Sequence, residues 1–282
     1  MITWRDAWKW GCCQMHLAGV SHPSREAHSL LASGPGASPA LLRPSETVGR
    51  DQWPAYVQRI RRRACGEPLQ YIRGEVEFYS RPFRVNRAVL IPRPETEILI
   101  DEFLRRAERL PGGRILDLGT GSGVLAVSMA CELPGRSFVA SDISDGALQV
   151  AGENAERHGV ADRVAPVPGG LYEPLGGERF AAIVSNPPYV TSAEMLELAP
   201  GIRDWEPARA LDGGEDGLVH LRAIIAGAPD HLVPGGLLAL EVGAGQAGEV
   251  AALCRRHLDG PAEIVADLAG IERVVLCHRY ER

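Results

Sequence analysis

The sequence predicts an α/β protein whose main domain is a doubly wound, mostly parallel sheet of seven strands. After Pro111-Gly112-Gly113, short apolar runs alternate with segments of helical periodicity up to the last runs of the chain. This alternation is typical of parallel strands joined by crossover helices. The last two runs are separated by only residues 268–271. Because a parallel crossover needs a dozen or more residues, the last strand should be antiparallel.

The apolar runs give the expected elements of this sheet. Helices are predicted between successive strands up to the sixth, for example over residues 144–158, where Gly159 ends the helix. Another helix, over residues 95–110, precedes the first strand. The predicted strands are residues 114–118, 137–143, 163–167, 181–185, 237–242, 262–267 and 272–278.

The part of the chain before the sheet has a different pattern. Residues 1–74 have apolar positions at helical spacing, with a Ser/Pro/Gly-rich break near residues 33–38, and predict a small helical domain. Residues 75–94 alternate apolar and polar side chains and predict a β-hairpin connector, which Pro92 and Pro94 end. The predicted domains are therefore 1–74, 75–94 and 95–282, with the first serving substrate recognition.

Composition and charge exclude several classes of protein. The 282 residues contain no run of about 18 apolar residues, so no membrane span is expected. The first residues lack an apolar signal core, and the six cysteines and eight histidines show no metal-ligand spacing. A cytoplasmic protein without a metal is expected.

The net charge of −6 is unevenly distributed. Residues 1–75 hold ten Lys/Arg and six Asp/Glu, whereas residues 76–282 hold twenty and thirty. The acidic sheet domain disfavours nonspecific binding to a phosphate backbone. The basic first part could touch an acidic partner or RNA, although its only tight cluster, Arg61-Arg62-Arg63, is equally typical of a solvated helix face.

A glycine motif follows the first strand of the sheet. Glycines at alternate positions allow a tight turn and a close approach of a ligand to the backbone. A dinucleotide fingerprint would need a glycine where Val124 stands. The observed motif, opened by an acid, instead suits S-adenosylmethionine, which carries a sulfonium and an ammonium but no phosphate. The predicted cofactor-binding residues of this motif are Asp117, Gly119, Thr120, Gly121, Ser122 and Gly123.

Two more residues are predicted to contact the cofactor. Asp142 ends the second strand, where a carboxylate can accept both ribose hydroxyls of a nucleoside. The alternative is a helix N-cap, for which Ser144 competes. Leu171 follows Gly169-Gly170 after the third strand, where either an adenine ring or the core could pack against it.

The fourth strand ends in Asn186-Pro187-Pro188-Tyr189. Two successive prolines restrict the backbone, so the Asn186 side chain and the Pro187 carbonyl are held in fixed positions. Both oxygens can accept hydrogen bonds from one NH2 group, and Tyr189 can stack on a planar group that carries it. We therefore predict Asn186, Pro187 and Tyr189 as catalytic residues, and these three with Pro188 as the substrate-binding residues, of an enzyme that methylates a planar NH2 group. Asn186 is also a predicted cofactor-binding residue, because ligands of such sheets lie beyond the strand ends next to the first strand, which places Asn186 near the methyl donor.

Both motifs resemble those of Rossmann-like class I methyltransferases that modify NH2 groups. Within that class, the stretches at residues 66–74 (GEPLQYIRG) and 90–97 (LIPRPETE) resemble the peptide chain release factor glutamine methyltransferases, the PrmC/HemK family. The resemblance extends from about Arg63 to residue 282 and includes Glu206-Pro207, Pro234-Gly235-Gly236 and Glu241-Val242-Gly243. Many members have an aromatic residue where Leu171 stands. The first 60 residues match only as a helical domain of suitable length.

The resemblance implies an S-adenosylmethionine-dependent protein-(glutamine-N5) methyltransferase. Its implied partner is a class 1 peptide chain release factor, methylated on the glutamine of a Gly-Gly-Gln motif, with no DNA and no membrane involved. We expect residues 66–74 and 90–97 to border the entrance for the substrate loop. Three alternatives stay open at this point: the sister activity on a ribosomal protein glutamine, an N6-adenine or N2-guanine nucleic-acid methyltransferase, and a binding adaptor with an inactive site. An adaptor would be expected to carry a broken motif, and both motifs are intact.

Overall fold

The computed structural model describes residues 2–33 and 44–280. The chain divides into two compact units. The first comprises Met1–Glu75 together with Ala199–Trp205, and the second comprises Val76–Leu198 and Glu206–Arg282. Most of the predicted break at residues 33–38 lies outside the described residues.

The first unit is helical. Its helices are α1 (Trp4–Leu17), α2 (Pro23–Ala32), α3 (Gln52–Ala64), α4 (Leu69–Arg73) and, after residue 198, α9 (Pro200–Arg203). Helix α1 begins with a capping box between Thr3 and Asp6, which satisfies two backbone N–H groups. Gly11 lies where a Cβ would be 2.1 Å from the Tyr56 hydroxyl of α3. Only glycine allows α1 and α3 to pack this closely.

Two of the three clustered arginines of α3 form ion pairs within the first unit. Arg62 forms an ion pair with Glu67, and Arg63 forms one with Glu26 of α2. Arg61 is exposed. Two of the three charges are therefore neutralised locally, which favours the interpretation as a helix surface over that of an RNA-binding patch.

The predicted hairpin is shorter than expected. Strands β1 (Glu75–Phe78) and β2 (Arg81–Arg84) are joined at Tyr79 and Ser80, which have φ of 48° and 56°. The Tyr79 N–H donates to Glu97 Oε1 at 2.8 Å and its hydroxyl donates to Asp101 Oδ1 at 2.8 Å. These bonds stabilise a turn that is strained for residues other than glycine. Residues 85–94 follow without strand structure.

The second unit contains a seven-stranded sheet in the order β5-β4-β3-β6-β7-β9-β8. Neighbours from β5 to β7 pair in parallel, and β9 pairs antiparallel with both β7 and β8. The predicted doubly wound sheet with an inserted antiparallel last strand is confirmed. The strands are β3 (Ile115–Leu118), β4 (Phe138–Asp142), β5 (Val164–Pro168), β6 (Phe180–Ser185), β7 (Leu232–Glu241), β8 (Ala262–Ala266) and β9 (Glu272–His278).

Apolar residues cover both faces of this sheet and form two separate core clusters. Residues on the central strands β3 and β6 are fully buried, as expected for parallel strands with helices on both faces. The helices of this unit are α5 (Thr96–Leu104), α6 (Val124–Glu132), α7 (Asp145–Arg157), α8 (Glu194–Glu197), α10 (Val219–His231) and α11 (Ala247–Leu258). Among the described residues, no helix is long and apolar enough to cross a membrane.

Two predicted helices differ from the structure. Between β5 and β6 the chain forms only a 3₁₀ turn, Glu173–Leu175, because paired glycines on both sides of this short segment interrupt any longer helix. The helix predicted over residues 95–110 ends at Leu104 and is followed by the 3₁₀ turn Ala107–Arg109. The Glu102 backbone carbonyl accepts a hydrogen bond from the Arg106 guanidinium instead of the Arg106 backbone N–H. That N–H donates to the Phe103 carbonyl, which is the 3₁₀ pattern.

Candidate active site

The second unit contains a cavity of about 440 Å³, within the range of small-molecule sites. Its wall includes the carboxyl ends of β3, β4 and β6, where the strand order reverses. Ligands of doubly wound sheets bind at this position. Other parts of the wall come from the segment before α5, from the residues after β5 and from the segment before α10. They include Ala88, Val89, Leu90, Pro92 and Thr96, then Gly169, Gly170 and Leu171, and then Pro207, Arg209, Ala210, His220 and Ile224.

The glycine motif forms the loop between β3 and α6. Gly119, Gly121 and Gly123 have φ of 72°, 56° and 81°, a backbone region that favours glycine. A Cβ at Gly119 or Gly121 would meet no protein atom within 4 Å, and both glycines line the cavity with Thr120 and Ser122. Gly123 is instead the N-cap of α6, where a Cβ would be 3.1 Å from the Ala151 Cβ. The first two glycines therefore leave open space at the cavity, and the third allows α6 and α7 to pack.

Asp117 lies beneath this loop and is not among the cavity-lining residues. Its Oδ2 accepts hydrogen bonds from the Thr120 hydroxyl at 2.7 Å and from the Ala126 N–H at 3.1 Å. Its Oδ1 is buried and has no hydrogen-bond partner among the described residues. Burial raises the pKa of Asp117 to about 7, although its two hydrogen bonds lower it. The Asp117 side chain thus stabilises the glycine loop through these two hydrogen bonds.

Asp142, at the end of β4, lines the cavity and also stabilises the glycine loop. Its Oδ2 accepts from the Gly121 N–H at 2.9 Å and its Oδ1 accepts from the Ser144 N–H at 2.9 Å. Ser144 is the N-cap of α7, since its hydroxyl accepts from the Ala147 N–H. The cap role therefore belongs to Ser144. Each Asp142 oxygen keeps a second lone pair that can accept a hydrogen bond from a hydroxyl group of a ligand.

Leu171 lines the cavity with a strained backbone. Its φ is +47°, and it follows Gly169 and Gly170 after β5. A non-glycine residue in this region costs on the order of 1–3 kcal/mol and is found mainly at functional sites. The side chain is half-buried against the adjacent core cluster, so it contacts both the core and the cavity wall.

Asn186 directly follows β6 and lines the cavity with Pro187 and Pro188. The preceding Ser185 donates its hydroxyl proton to the Leu118 carbonyl at 2.6 Å, which ties the ends of β6 and β3 together. The Asn186 amide donates from Nδ2 to the Thr96 hydroxyl oxygen at 3.0 Å. With its NH2 group held there, the side chain has its carbonyl oxygen Oδ1 left as an acceptor.

Tyr189 is not among the cavity-lining residues. Its hydroxyl donates to Glu241 Oε1 at 3.2 Å, and its carbonyl accepts from Gln246 Nε2 at 3.0 Å. Burial and the neighbouring carboxylate raise the pKa of Tyr189 well above its ordinary value. The tyrosine is therefore a neutral donor held in place by Glu241 and Gln246.

Sequence reasoning missed two buried polar residues behind Asn186. Thr96 is the first residue of α5, and Glu241 is the last residue of β7. Burial raises the pKa of Glu241 to about 7, while hydrogen bonds from Thr96 and Tyr189 lower it. Both residues belong to the stretches that carry the family resemblance, and that was the only signal pointing to them.

A third missed residue, Glu206, joins two walls of the cavity. Its Oε2 accepts from the Ile91 N–H at 3.0 Å, and its Oε1 forms an ion pair with Arg93 at 2.6 Å. The Glu206 side chain is 2% exposed. It thereby connects the wall formed by residues 88–92 to the wall that begins at Pro207.

Comparisons with known proteins agree with this geometry. The family model described as "Methyltransferase small domain" matches residues 94–200, and the model of the PrmC N-terminal domain matches residues 6–74. The release factor glutamine methyltransferase of Moorella thermoacetica is 41% identical over 287 residues, covering 99% of this chain and all of the relative. That of Gloeobacter violaceus is 48% identical over 216 residues, or 76% of each chain.

This chain belongs to the release factor glutamine methyltransferase family. The family predicted from the motifs is therefore confirmed, and so is the methyltransferase class. A T. thermophilus 16S rRNA methyltransferase, solved in complex with AdoMet and guanosine, is 19% identical with a TM-score of 0.53, covering 73% of this chain and 49% of that chain. That likeness shows a shared fold.

S-adenosylmethionine is the methyl donor of the class I methyltransferases, and the cavity residues of this family member fit it. The open space at Gly119 and Gly121 accommodates a ligand against the backbone. Asp142 offers acceptors at the same wall, and the neighbouring Ile143 is 69% exposed and apolar. A nucleoside needs this combination of hydroxyl acceptors and apolar surface. Within residues 2–33 and 44–280, no group of three His, Cys, Asp or Glu side chains is placed to hold a metal ion.

Proposed function

We propose that this protein transfers the methyl group of S-adenosylmethionine to the side-chain amide nitrogen, N5, of the glutamine in the Gly-Gly-Gln motif of class 1 peptide chain release factors. One observation supports this chemistry above the others. Asn186 lies on the cavity wall with its NH2 group bound to Thr96, so that Oδ1 is the atom available to accept a hydrogen bond from a substrate NH2 group.

The proposed mechanism relies on orientation. An amide nitrogen is a weak nucleophile because its lone pair is delocalised, and its proton is too weakly acidic for a side-chain base to remove beforehand. Asn186 Oδ1 and the Pro187 carbonyl would accept hydrogen bonds from the two N–H groups of the glutamine amide and direct its nitrogen toward the methyl group. The same oxygens would stabilise the positive charge that develops on nitrogen. S-adenosylmethionine would supply an electrophilic methyl group on a sulfonium: the S–CH3 bond would break as the N–CH3 bond forms, the neutral thioether S-adenosylhomocysteine would leave, and the methylated nitrogen would lose one proton to water.

Several residues would hold the cofactor. Gly119, Thr120, Gly121 and Ser122 would surround it with backbone and small side chains, as their position on the cavity wall supports. Asp142 would accept the ribose hydroxyls. Leu171 would cover the adenine, and Asn186, which lines the cavity, would lie beside the methyl donor. The remaining predicted residues, Asp117 and Gly123, shape the loop from outside the cavity wall.

Residues of the cavity wall would bind the substrate glutamine, and the first unit would bind the rest of the release factor. Pro187 and Pro188 line the cavity, as do Leu90, Pro92 and Thr96 of the family stretch at residues 90–97. Tyr189 would stack on the planar amide of the glutamine. The helical unit, matched by the PrmC N-terminal model, would recognise the release factor. We place the reaction in the cytoplasm, where translation termination takes place.

Two alternatives differ in substrate. Action on a ribosomal protein glutamine would use the same chemistry with a different first unit. Methylation of an adenine or guanine would need affinity for a nucleic acid, which the acidic charge of residues 76–282 disfavours. The full-length match to a relative with release factor specificity in its name favours the release factor.

A tritiated-methyl transfer assay tests the proposal. Intact release factor, its Gly-Gly-Gln variant with Gln→Ala, ribosomal protein and DNA are offered in parallel with S-adenosylmethionine. Label on the intact release factor alone is expected, with mass spectrometry locating it on the glutamine. Label on DNA, or equal label on the Gln→Ala variant, would overturn the proposal. Label only on ribosomal protein would move the chain to the sister activity.

A further inference from the structure

A buried chain of hydrogen bonds lies behind Asn186. Asn186 Nδ2 donates to Thr96 Oγ1 at 3.0 Å. The Thr96 hydroxyl is in turn within reach of the Glu241 side chain, where hydrogen bonding from it lowers the pKa of Glu241. Glu241 Oε1 also accepts from the Tyr189 hydroxyl at 3.2 Å. Thr96 and Glu241 are only 2% and 1% exposed. The groups come from the start of α5, the end of β7 and the segment that follows β6, so three elements converge on one carboxylate.

The direction of the hydrogen bonds behind Asn186 follows from which groups can donate and which can accept. Glu241 Oε1, which faces the Tyr189 hydroxyl, accepts hydrogen bonds whether the carboxyl group is ionised or carries a proton on Oε2, which has no hydrogen-bond partner in the described part of the chain. The hydroxyl protons of Thr96 and Tyr189 therefore both point toward Glu241. With its proton used, the Thr96 oxygen can only accept. It therefore accepts from Asn186, whose NH2 group must face Thr96 and whose Oδ1 must face away.

We propose that Thr96 and Glu241 are positioning residues that hold the Asn186 amide in the one orientation that presents Oδ1 to the substrate NH2 group. This inference rests on the proposed function for its substrate. The side-chain amide of asparagine is nearly symmetric in shape, so packing alone distinguishes its two orientations poorly. In the reversed orientation the Asn186 NH2 group would face the NH2 group of the substrate, and two donors would oppose each other. The carboxylate at the far end excludes that orientation.

The charged groups around Glu241 are consistent with this role. Arg273 of β9 and the two hydroxyl donors lower the pKa of Glu241, whereas burial and Glu95, which precedes α5, raise it. Arg273 is itself paired with Asp267 at 3.1 Å. Glu241 Oε2 is buried without a hydrogen-bond partner among the described residues. Leaving such an oxygen unpaired costs free energy. An apolar residue that only filled this space would not carry that cost.

Substitutions of Thr96 separate positioning from packing. Thr96→Val keeps the shape and removes the hydroxyl, whereas Thr96→Ser keeps the hydroxyl and removes the methyl group. With release factor as substrate, we expect Thr96→Val to lower the single-turnover rate by about 10- to 100-fold, and Thr96→Ser to stay within a few fold of wild type. Affinity for S-adenosylmethionine should be unchanged in both. A packing role predicts the opposite order of rates, and that order would overturn the inference. Thr96→Ala replaces the valine variant if the latter does not fold.

A measurement on the protein without substrate makes the test independent of the proposed function. The chain has only three asparagines, Asn86, Asn154 and Asn186, so selective ¹⁵N-asparagine labelling gives three side-chain NH2 signals. Asn186→Ser identifies the one of interest. We expect an NOE from the Asn186 NH2 protons to the Thr96 methyl group in the wild type with S-adenosylmethionine bound. Its absence would overturn the inference even if the enzyme methylates release factor. If the NOE is present but no release factor is labelled, the proposed function fails and the orientation stands.

The role of the carboxylate is tested by Glu241→Gln. A glutamine can donate as well as accept, so it permits both directions of the hydrogen-bond chain. We expect a loss of at least about 10-fold in the single-turnover rate and a weaker NOE between Asn186 and Thr96. A rate and an NOE equal to those of the wild type would show that Glu241 does not set the direction, and would overturn its part of the inference.

Discussion

Asp142 combines two roles in one carboxylate. It accepts the backbone N–H groups of Gly121 and Ser144, and it lines the cavity beside the glycine loop. We predict that Asp142→Ala weakens S-adenosylmethionine binding by roughly 10- to 100-fold, because up to two charge-assisted hydrogen bonds to the ribose are lost and the loop is released. Calorimetric titration of the folded variant measures this, and an unchanged affinity would exclude a ribose role.

Asn186 is expected to affect the rate more than the binding of the cofactor. Removing one preorganised hydrogen-bonding group at a developing charge costs about 10²–10³ in turnover. We predict a loss of this size for Asn186→Ala in single-turnover reactions, with a smaller change in affinity for S-adenosylmethionine. A rate within a few fold of that of the wild type would show that the two-acceptor mechanism is wrong.

At the scale of elements, the cavity walls depend on Glu206. Its carboxylate joins the segment at Ile91 and Arg93 to the segment that leads into Pro207. Glu206→Ala leaves a buried N–H and a half-buried guanidinium without this partner. We predict that it lowers the free energy of unfolding by about 2–4 kcal/mol, measured by urea denaturation.

A matched control for Glu206 is Glu153 on α7. It pairs with Arg84, but the two side chains are 36% and 58% exposed. Exposed pairs contribute about 0–1 kcal/mol, so Glu153→Ala should change the unfolding free energy by no more than that. Equal effects of the two substitutions would mean that the wall contact of Glu206 is not important for stability.

The sheet could be predicted from the sequence because its strands are local apolar runs. Strand β9 has the bounds expected, and its antiparallel direction followed from the length of the β8–β9 loop. The segment between β5 and β6 could not be predicted as a 3₁₀ turn from periodicity alone, since Tyr172 and Leu175 are spaced as on a helix. Its conformation is decided by glycines and by packing, including the ring of Tyr172 against His231.

At the scale of the whole molecule, the candidate site shows the limit of local patterns. The cavity residues after β3, β4 and β6 could be predicted because parallel strands end at one edge of the sheet. Thr96 and Glu241 could not, because the contact between them joins residues far apart in the sequence and neither belongs to a motif with an assigned mechanism. The stacking of Tyr189 on the substrate stays a prediction. In the structure its hydroxyl is bound to Glu241, and Tyr189 is not among the residues that line the cavity.

The two buried acids, Asp117 and Glu241, make the stability of the molecule depend on pH. Burial raises the pKa of each to about 7, from ordinary values of 3.8 and 4.5. An acid with a raised pKa in the folded state binds more protons there than in the unfolded chain. Its contribution to stability is therefore present below its ordinary pKa and is lost as the pH rises to about 7.

The comparison of wild type with Glu241→Gln isolates one of these acids, because all other titrating groups cancel in the difference. The glutamine cannot ionise, so the variant does not lose this contribution to the unfolding free energy as the pH rises. We predict that, between pH 4.5 and pH 7, the wild type loses unfolding free energy relative to the variant by an amount on the order of 3 kcal/mol at most. Urea denaturation of both proteins across this range measures the difference.

Glu194→Gln is the control with the opposite sign. Hydrogen bonds from Thr191 hold the pKa of this exposed carboxyl below its ordinary value, so its contribution to stability is lost as the pH falls rather than as it rises. The unfolding free energy of the wild type, measured relative to that of Glu194→Gln, should therefore increase slightly as the pH rises. A pH-independent difference between wild type and Glu241→Gln would mean that Glu241 titrates at an ordinary pKa in the folded protein. Its burial would then be relieved by water, and the carboxylate would be charged over the whole range in which the enzyme works.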